Sequence, residues 1–406
     1  MVTPLHRLPL EAHPDSPLDS FTGLRAARFG VYVHFPWCLS KCPYCDFAST
    51  HAKVVPEERY TRAILSELSR RAEHATGREV DSIFFGGGTP SLWQPTLVGE
   101  VINALAARFP IGRHAEVTLE ANPGASDACR FADYRAAGIN RLSIGVQSFQ
   151  LRTLKALGRE HDGPLAVAAF EKARQAGFDN VSLDFIYGVH GQTLDAAIAD
   201  VNAAVALKPD HLSAYALTLE KEALAEEVPL AKQLARGEVH LPPDETVTQM
   251  QRSVEDIYAA AGLQRYEVSN YATPGRHSRH NALYWTGGEY LALGVGATGR
   301  LGHLRYSNQR SADKYLAEVD ANGIPTSQDE TLDGATLFRE RLAMGLRLTN
   351  GIDLEALCAQ YGEDFGPRRA QVELMTKHGL LRHVDGRVQL TPKGFDVHSA
   401  VSARLM

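Results

Sequence analysis

The sequence predicts an α/β fold: strand–helix units that form most of a barrel, then an α+β extension, then a winged-helix-like module. Three observations carry this. Six short β-rich runs each precede a stretch with helical apolar spacing, and such units in series build a parallel sheet with right-handed crossovers. Polar and glycine-rich residues follow the strands from the first unit to the fifth. A barrel gathers those strand ends on one face, whereas a doubly wound sheet concentrates them at one switch point. The rhythm then changes, once after Glu220 and again from Leu332.

The segment Met1–Arg28 holds four prolines and scattered charges, and reads as an N-terminal tail (1–28). It lacks the apolar segment of a secretory signal. The barrel (29–220) opens with Val31–Phe35, a cysteine loop and a helix over Glu57–Ala75. Ser82–Phe85 leads to Gly86-Gly87-Gly88-Thr89-Pro90 and a helix near Thr96–Arg108. Glu116–Leu119 leads to Glu120-Ala121-Asn122-Pro123-Gly124 and a helix near Asp127–Ala137. Arg141–Val146 leads to Gln147-Ser148-Phe149 and two helical patterns ending near Ala176. Val181–Ile186 is followed by a helix near Leu194–Leu207, and His211–Leu217 is the sixth strand. Helical spacing shows in Ile64, Leu65 and Leu68.

The extension (221–330) reads as helices over Glu222–Arg236 and Asp244–Ala261 and a strand over Arg265–Tyr271. The stretch Gly275–Gly299 is rich in glycine, histidine and aromatics. The last module (331–406) reads as helices Phe338–Leu348, Asp353–Tyr361 and Arg369–His378, then a hairpin around Asp385-Gly386.

Composition bounds function. The chain has 406 residues, 44% hydrophobic and 22% charged, which excludes disorder as its main state. Its net charge of −6 argues against general phosphate-backbone binding. No apolar run is long enough to span a bilayer. Only five cysteines are present, too few for a disulfide scaffold, and three fall between Cys38 and Cys45. Such clustering points to a metal or redox site in a cytoplasmic chain.

Cys38-x-x-x-Cys42-x-x-Cys45 offers three thiolates in one loop, which suits zinc or an iron–sulfur cluster. Structural zinc wants a fourth protein ligand, for which His34 and His51 are candidates. Cys129 and Cys358 are not obvious ligands. Three thiolates on a cubane leave one iron without a protein ligand, and an open iron suggests chemistry there.

The cysteine triad after a first strand, with Gly86-Gly87-Gly88-Thr89-Pro90, resembles the radical S-adenosylmethionine (SAM) superfamily. Tyr32-Val33-His34-Phe35-Pro36-Trp37-Cys38 resembles the oxygen-independent coproporphyrinogen III oxidase family within it. So do Gly145-Val146-Gln147-Ser148-Phe149, Gly158-Arg159-Glu160-His161 and Asp184-Phe185-Ile186-Tyr187-Gly188. The match runs from about Val31 to Tyr315. It implies a partial (β/α)6 barrel and a [4Fe-4S] cluster held by Cys38, Cys42 and Cys45, whose open iron chelates SAM. It further implies that Gly87, Gly88 and Thr89 admit the methionine amino group. By the same analogy Glu120 accepts from charged or hydroxyl groups, Arg159 meets a carboxylate and Asp184 the ribose hydroxyls. Gln147, Tyr32 and Tyr44 would supply further contacts.

Within that family the sequence departs from the oxidases. They carry a further cysteine two residues past the third, where this chain has Phe47. Asp46-Phe47 and His280-Asn281-Ala282-Leu283-Tyr284-Trp285 instead resemble the HemW heme chaperone subfamily. That resemblance implies heme as a ligand, a heme-acceptor protein, an electron donor and a place in porphyrin metabolism. The alternative is oxidative decarboxylation of coproporphyrinogen III. His280 is the candidate axial heme ligand, with Tyr284, Trp285 and Tyr290 to pack on a macrocycle and Arg276 and Arg279 to meet propionates. A third reading, a DNA-binding regulator, finds only a weakly basic helix at Arg368, Arg369 and Lys377, so no nucleic-acid partner is expected.

Overall fold

Strands covered on both faces read as continuous apolar runs. The first, β1 (Phe29–Phe35), has this pattern, with only Tyr32 not fully buried. In the computed structural model, which describes residues 29–219 and 228–406, it is followed by five more. These are β2 (Val80–Gly87), β3 (Ile111–Ala121), β4 (Arg141–Gln147), β5 (Val181–Tyr187) and β6 (His211–Ala216). They lie side by side in chain order, each parallel to the next. Parallel neighbours need a crossover. Helices Glu57–Arg71, Pro95–Arg108, Phe131–Ala137, Gly163–Gln175 and Leu194–Ala206 supply it.

The sheet does not stop at these six. β7 (Glu289–Leu293) joins the free edge of β1 in parallel, and β8 (Thr298–Leu301), β9 (Leu304–Asn308) and β10 (Thr326–Thr331) continue it antiparallel. At the other edge β6 pairs with Asn270–Ala272, which pairs with Gln264–Arg265. The extension thus continues the same sheet.

Several elements differ from the sequence expectation. The strand expected over Arg265–Tyr271 is broken in two by a turn around Glu267. That carboxylate is wholly buried and accepts from Ser269 N, Asn270 Nδ2 and Arg347 at 2.7, 2.6 and 2.8 Å, which fixes the turn. The glycine-rich stretch contains a helix, Arg279–Thr286, started by a Ser278 cap and ended by Gly287 in the left-handed region. Helix Gly334–Gly345 begins earlier than Phe338 because Asp333 caps it, and Phe365–Lys377 begins earlier than Arg369 because Asp364 does. Two further helices, Pro392–Asp396 and His398–Leu405, close the C terminus. Of the helix expected over Glu222–Arg236, Pro229–Ala235 is described, and 220–227 lie outside the described residues, as does the tail 1–28.

The last 70-odd residues have a core of their own, with Phe338, Leu342, Leu357, Val372 and Leu390 among its members. Helix Leu354–Tyr361, capped by Asp353, and the hairpin Leu381–Val384 with Arg387–Leu390 complete it.

A buried polar knot locks the first helix to the extension. Glu67 is inaccessible to solvent and accepts from Arg71 Nε (2.7 Å), Asn308 Nδ2 (2.7 Å), Tyr315 OH (2.7 Å) and Gly294 N (2.9 Å). Removing one member of such a set leaves charges and donors unpaired. Glu67→Ala is expected to lower unfolding free energy by about 3–5 kcal/mol, read by chemical denaturation, with Glu67→Gln losing less. A change under about 1 kcal/mol for the alanine variant would show that the knot is not what joins these parts.

Candidate active site

The residues expected to hold the cluster and SAM, together with His280, line one cavity of about 440 Å³ inside the sheet, while Trp285, Tyr290, Arg276 and Arg279 lie outside it. The cysteine loop covers its mouth. Trp37–Cys38 pairs with Thr50–His51, and Cys45 N donates to Cys42 O at 3.1 Å, so the loop is closed on itself by its backbone. Cys38 is buried; Cys42 and Cys45 are half-buried. Burial raises the Cys38 thiol, opposed by the Thr89 hydroxyl, and raises Cys45, opposed by the Phe47 backbone.

The donor set was tested against a metal. Among the described residues no three His, Cys, Asp or Glu side chains converge enough to hold one ion. A zinc ion needs such convergence; a cubane takes each thiolate at a separate iron. His34, a candidate fourth zinc ligand, has both nitrogens engaged, by Tyr32 OH at 3.0 Å and Ala48 O at 2.9 Å. His51 is exposed. Cys129 is exposed near Lys172, and Cys358 is buried in the C-terminal core. Three thiols in one loop, each able to meet a separate iron, fit a cluster with one open iron.

The glycines after β2 have a different reason from the expected one. A Cβ on Gly87, at φ +118°, would stand 2.6 Å from the His34 ring, and one on Gly88 would stand 2.6 Å from Trp37 O. Glycine is needed because β2 passes tightly under the cysteine loop. The backbone amides are also spoken for: Gly87 N donates to Glu120 Oε2 at 3.1 Å, Gly88 N to Phe35 O and Thr89 N to Trp37 O.

Glu120 on β3 and Asp184 on β5 face the cavity from alternate strands, the layered arrangement of a barrel interior. Enclosure pushes the Glu120 carboxyl up to about 8, with Asp184 adding repulsion and the Gly87 amide and Arg141 opposing. Asp184 is raised by burial although Ser213, Ser143 and Ser182 donate to it at 2.7, 2.9 and 3.3 Å. Those hydroxyls fill most of its acceptor sites, leaving little for a ribose.

Arg159 is held by three groups: Cys42 Sγ at 3.4 Å, Asn122 Oδ1 at 2.7 Å and Gly145 O at 2.9 Å. Tyr44 lies beside it and packs on the small cluster around Leu219 and Leu230. Gln147 ends β4 at φ +64°, where the β4–β5 register slips. A side chain in that region costs about 1–2 kcal/mol, and the cost aims Gln147 at the cavity wall. Tyr32 projects from β1 and stacks on Phe84.

His280 needs correction as a heme ligand. It lies in the first turn of Arg279–Thr286 rather than in a loop, and is 1% exposed. Nδ1 pairs with Ser82 Oγ at 2.9 Å and Nε2 with Tyr284 OH at 2.9 Å, so no nitrogen is left for iron. Burial lowers its pKa to about 3. Ser82 and Gly87 are five residues apart on β2, roughly 16 Å along the strand. His280 thus closes the end of the cavity opposite the cysteine loop. Arg276 and Arg279 are likewise engaged, with Asp179 and with Asp81 and His114 O.

Sequence reasoning missed two cavity residues. Arg141, 2% exposed, is placed between Glu116 and the two carboxylates, and its Nε has no hydrogen-bond partner. Its signal was a charge opening an otherwise apolar strand. Asn122, in the run after the third strand, links Thr89 Oγ1 (3.2 Å) to Arg159.

Comparison with known proteins adds the following. Residues 32–203 match the radical SAM superfamily model and 332–397 the HemN C-terminal domain. The chain is 42% identical to the heme chaperone HemW of Escherichia coli over 272 residues, 67% of this chain and 70% of that protein. It is 35% identical to HemW of Mycobacterium tuberculosis over 93% of this chain and 95% of the other. It is also 35% identical to the mitochondrial radical S-adenosyl methionine domain-containing protein 1 of Mus musculus, over 92% and 82%. Among solved structures, coproporphyrinogen III oxidase of Escherichia coli superposes with a TM-score of 0.79 at 22% identity, over 94% and 90%, a likeness of fold.

The Glu120 carboxyl gives a test of the cavity's electrostatics. Its pKa is raised in the folded chain, so its contribution to ligand-free stability is full below about 4.5 and fades as pH rises through about 8. Glu120→Gln is expected to flatten that part of the pH–stability profile in urea unfolding. The same slope in both proteins would place the charge elsewhere.

Proposed function

The chain belongs to the radical SAM superfamily and, within it, to the family of the HemW heme chaperones, and from that membership we propose that it binds heme for transfer to an acceptor protein while carrying a [4Fe-4S] cluster with exchangeable SAM. The observation that carries this reading is the likeness to HemW along nearly the whole chain. Phe47, 61% exposed beside the cysteine loop, supports it, because the oxidases have cysteine there.

Cys38, Cys42 and Cys45 would hold the cluster, which when bound supplies an open iron for an amino-acid chelate and a redox centre. The cavity beneath suits SAM on physical grounds. Its volume is ordinary for a polar ligand of that size. Arg159 is turned to the loop at Cys42, Asn122 and Gly145, so the two enclosed acids on the floor have Arg141 as their nearest cation, and a sulfonium or ammonium settles beside them. Glu120 receives the positive end and gives up its proton as it does so. Arg159 and Asn122 brace the loop at Cys42 and stand near the carboxylate; Gln147, Tyr32 and Tyr44 line the walls, and Gly87, Gly88 and Thr89 form the edge beneath the loop. Asp184, with three serine donors, orients the floor.

We divide the chain at 28, 220 and 330, with the six-strand part as a partial (β/α)6 barrel and the last part as a winged-helix-like module that packs rather than binds nucleic acid. An electron donor and a cytoplasmic, reducing setting follow from a thiolate-held cluster. No helix of the described residues is long and apolar enough to cross a membrane.

Anaerobically reconstituted protein is expected to hold about four irons per chain. Alanine at Cys38, Cys42 or Cys45 removes them; alanine at Cys129 or Cys358 does not. Iron loss in Cys358→Ala would break the ligand set. Titrated with heme, the protein develops a Soret band, and incubated anaerobically with SAM, reductant and coproporphyrinogen III it yields no protoporphyrinogen IX. Formation of that product would return the chain to the oxidases.

A further inference from the structure

The larger cavity lies under the cysteine loop and is given to SAM in the reading above, and His280 on its wall has no nitrogen to spare for heme iron. A second cavity of about 300 Å³ lies where the turn after Arg279–Thr286, strands β7 to β9 and helix Gly334–Gly345 meet. Trp285, Tyr290 and Tyr361 give it aromatic walls, and Met344 stands at its rim, 39% exposed.

Its charges are unbalanced. Of its three arginines, Arg305 is paired with Glu330 and Glu340. Arg300 and Arg341 make no ion pair among the described residues. Arg300 donates to Gly287 O and Gly288 O at 2.5 and 2.8 Å, and Arg341 to Trp285 O at 3.1 Å, all neutral acceptors. Burial, with Arg300 nearby, brings Arg341 down to about 10. Two half-buried guanidiniums whose hydrogen bonds all go to carbonyls are left with positive charge for an anion to meet. The Trp285 indole N–H is also buried without an acceptor.

We propose that this cavity takes the carboxylate-bearing edge of heme, with Arg300 and Arg341 meeting its two propionates and the aromatic walls its ring. The proposal rests on the heme-chaperone reading and gives its ligand a place. Guanidinium–carboxylate pairs are strong and directional, and two on one edge match a dianion better than a single charge. Tyr and Met are iron ligands, and Tyr361 and Met344 are both within the cavity wall. The space is too small to enclose a macrocycle, so most of the ring stays outside, as release to an acceptor requires.

The test is heme titration of the full-length, cluster-loaded protein, followed at the Soret band. The Arg300→Gln/Arg341→Gln variant is expected to weaken heme binding roughly tenfold or more, while iron content and SAM binding stay as before. Met344→Trp fills the rim and is expected to do the same without touching a charge, which decides the matter should the double variant fold poorly by circular dichroism. Heme with esterified propionates should bind the parent weakly and be insensitive to the arginine changes. Wild-type affinity for heme in both variants overturns the site. An unaltered protein that binds no heme at all overturns the chaperone reading instead. ADP, another flat anion, is titrated in parallel; arginine-dependent ADP binding with unchanged heme binding would reassign the cavity to a nucleotide.

Discussion

Two carboxylates, Glu120 and Asp184, and the Arg141 guanidinium share the inside of the sheet. Glu120 and Asp184 face each other across β4, and Arg141 rises between them from the start of that strand. Groups so enclosed repel, and the protein answers with donors: a backbone amide for Glu120, three serines for Asp184. The donors do not complete the balance, since both acids remain raised. The rest of the site follows from that surplus. An interior filled by branched apolar side chains would be inert packing; this one is a polar well under a thiol-bearing loop.

Much of this was legible in the sequence. Strand–helix alternation survives as six parallel strands because apolar runs of that length have one place to go when helices cover both faces. The site residues were legible for the related reason that strand ends converge: Cys38, Gly87, Glu120, Gln147 and Asp184 are scattered through 150 residues yet line one cavity. What did not show was anything depending on partners far along the chain. The extension reads as glycine-rich irregularity, but β7 pairs with β1 across some 250 residues, and no local period announces a parallel edge. Glu267 sits in an apparently continuous strand and breaks it by collecting donors from Asn270 and Arg347. The helix starts at Asp333 and Asp364 were present as caps and were passed over for the apolar pattern beyond them.

Three residues show why motif and reason can part company. Gly87 and Gly88 were expected to make way for a cofactor, and the first things a side chain would strike there are His34 and the Trp37 carbonyl. The spacing was right because the loop must lie close over β2, and closeness of loop and strand is what brings the thiols to the cavity. His280 parted further. A histidine among aromatics resembles a metal ligand, but stacking on Phe84 and bonds at both nitrogens make it a brace.

That brace connects the two cavities. Tyr284 meets His280 Nε2 through its hydroxyl, packs edge-on against Tyr290 with ring centroids 4.8 Å apart, and lines both the larger cavity and the arginine-rich one. Helix Arg279–Thr286 is short, and its first turn is fixed to the barrel floor through Glu116, which accepts from Arg279 N and His280 N. Its last residues form the wall of the outer cavity, where Arg341 holds Trp285 O. A shift of this helix cannot change one wall and leave the other in place, because close-packed rings transmit displacement rather than absorb it. The His280–Trp285 motif is therefore, in this fold, the partition between the two cavities.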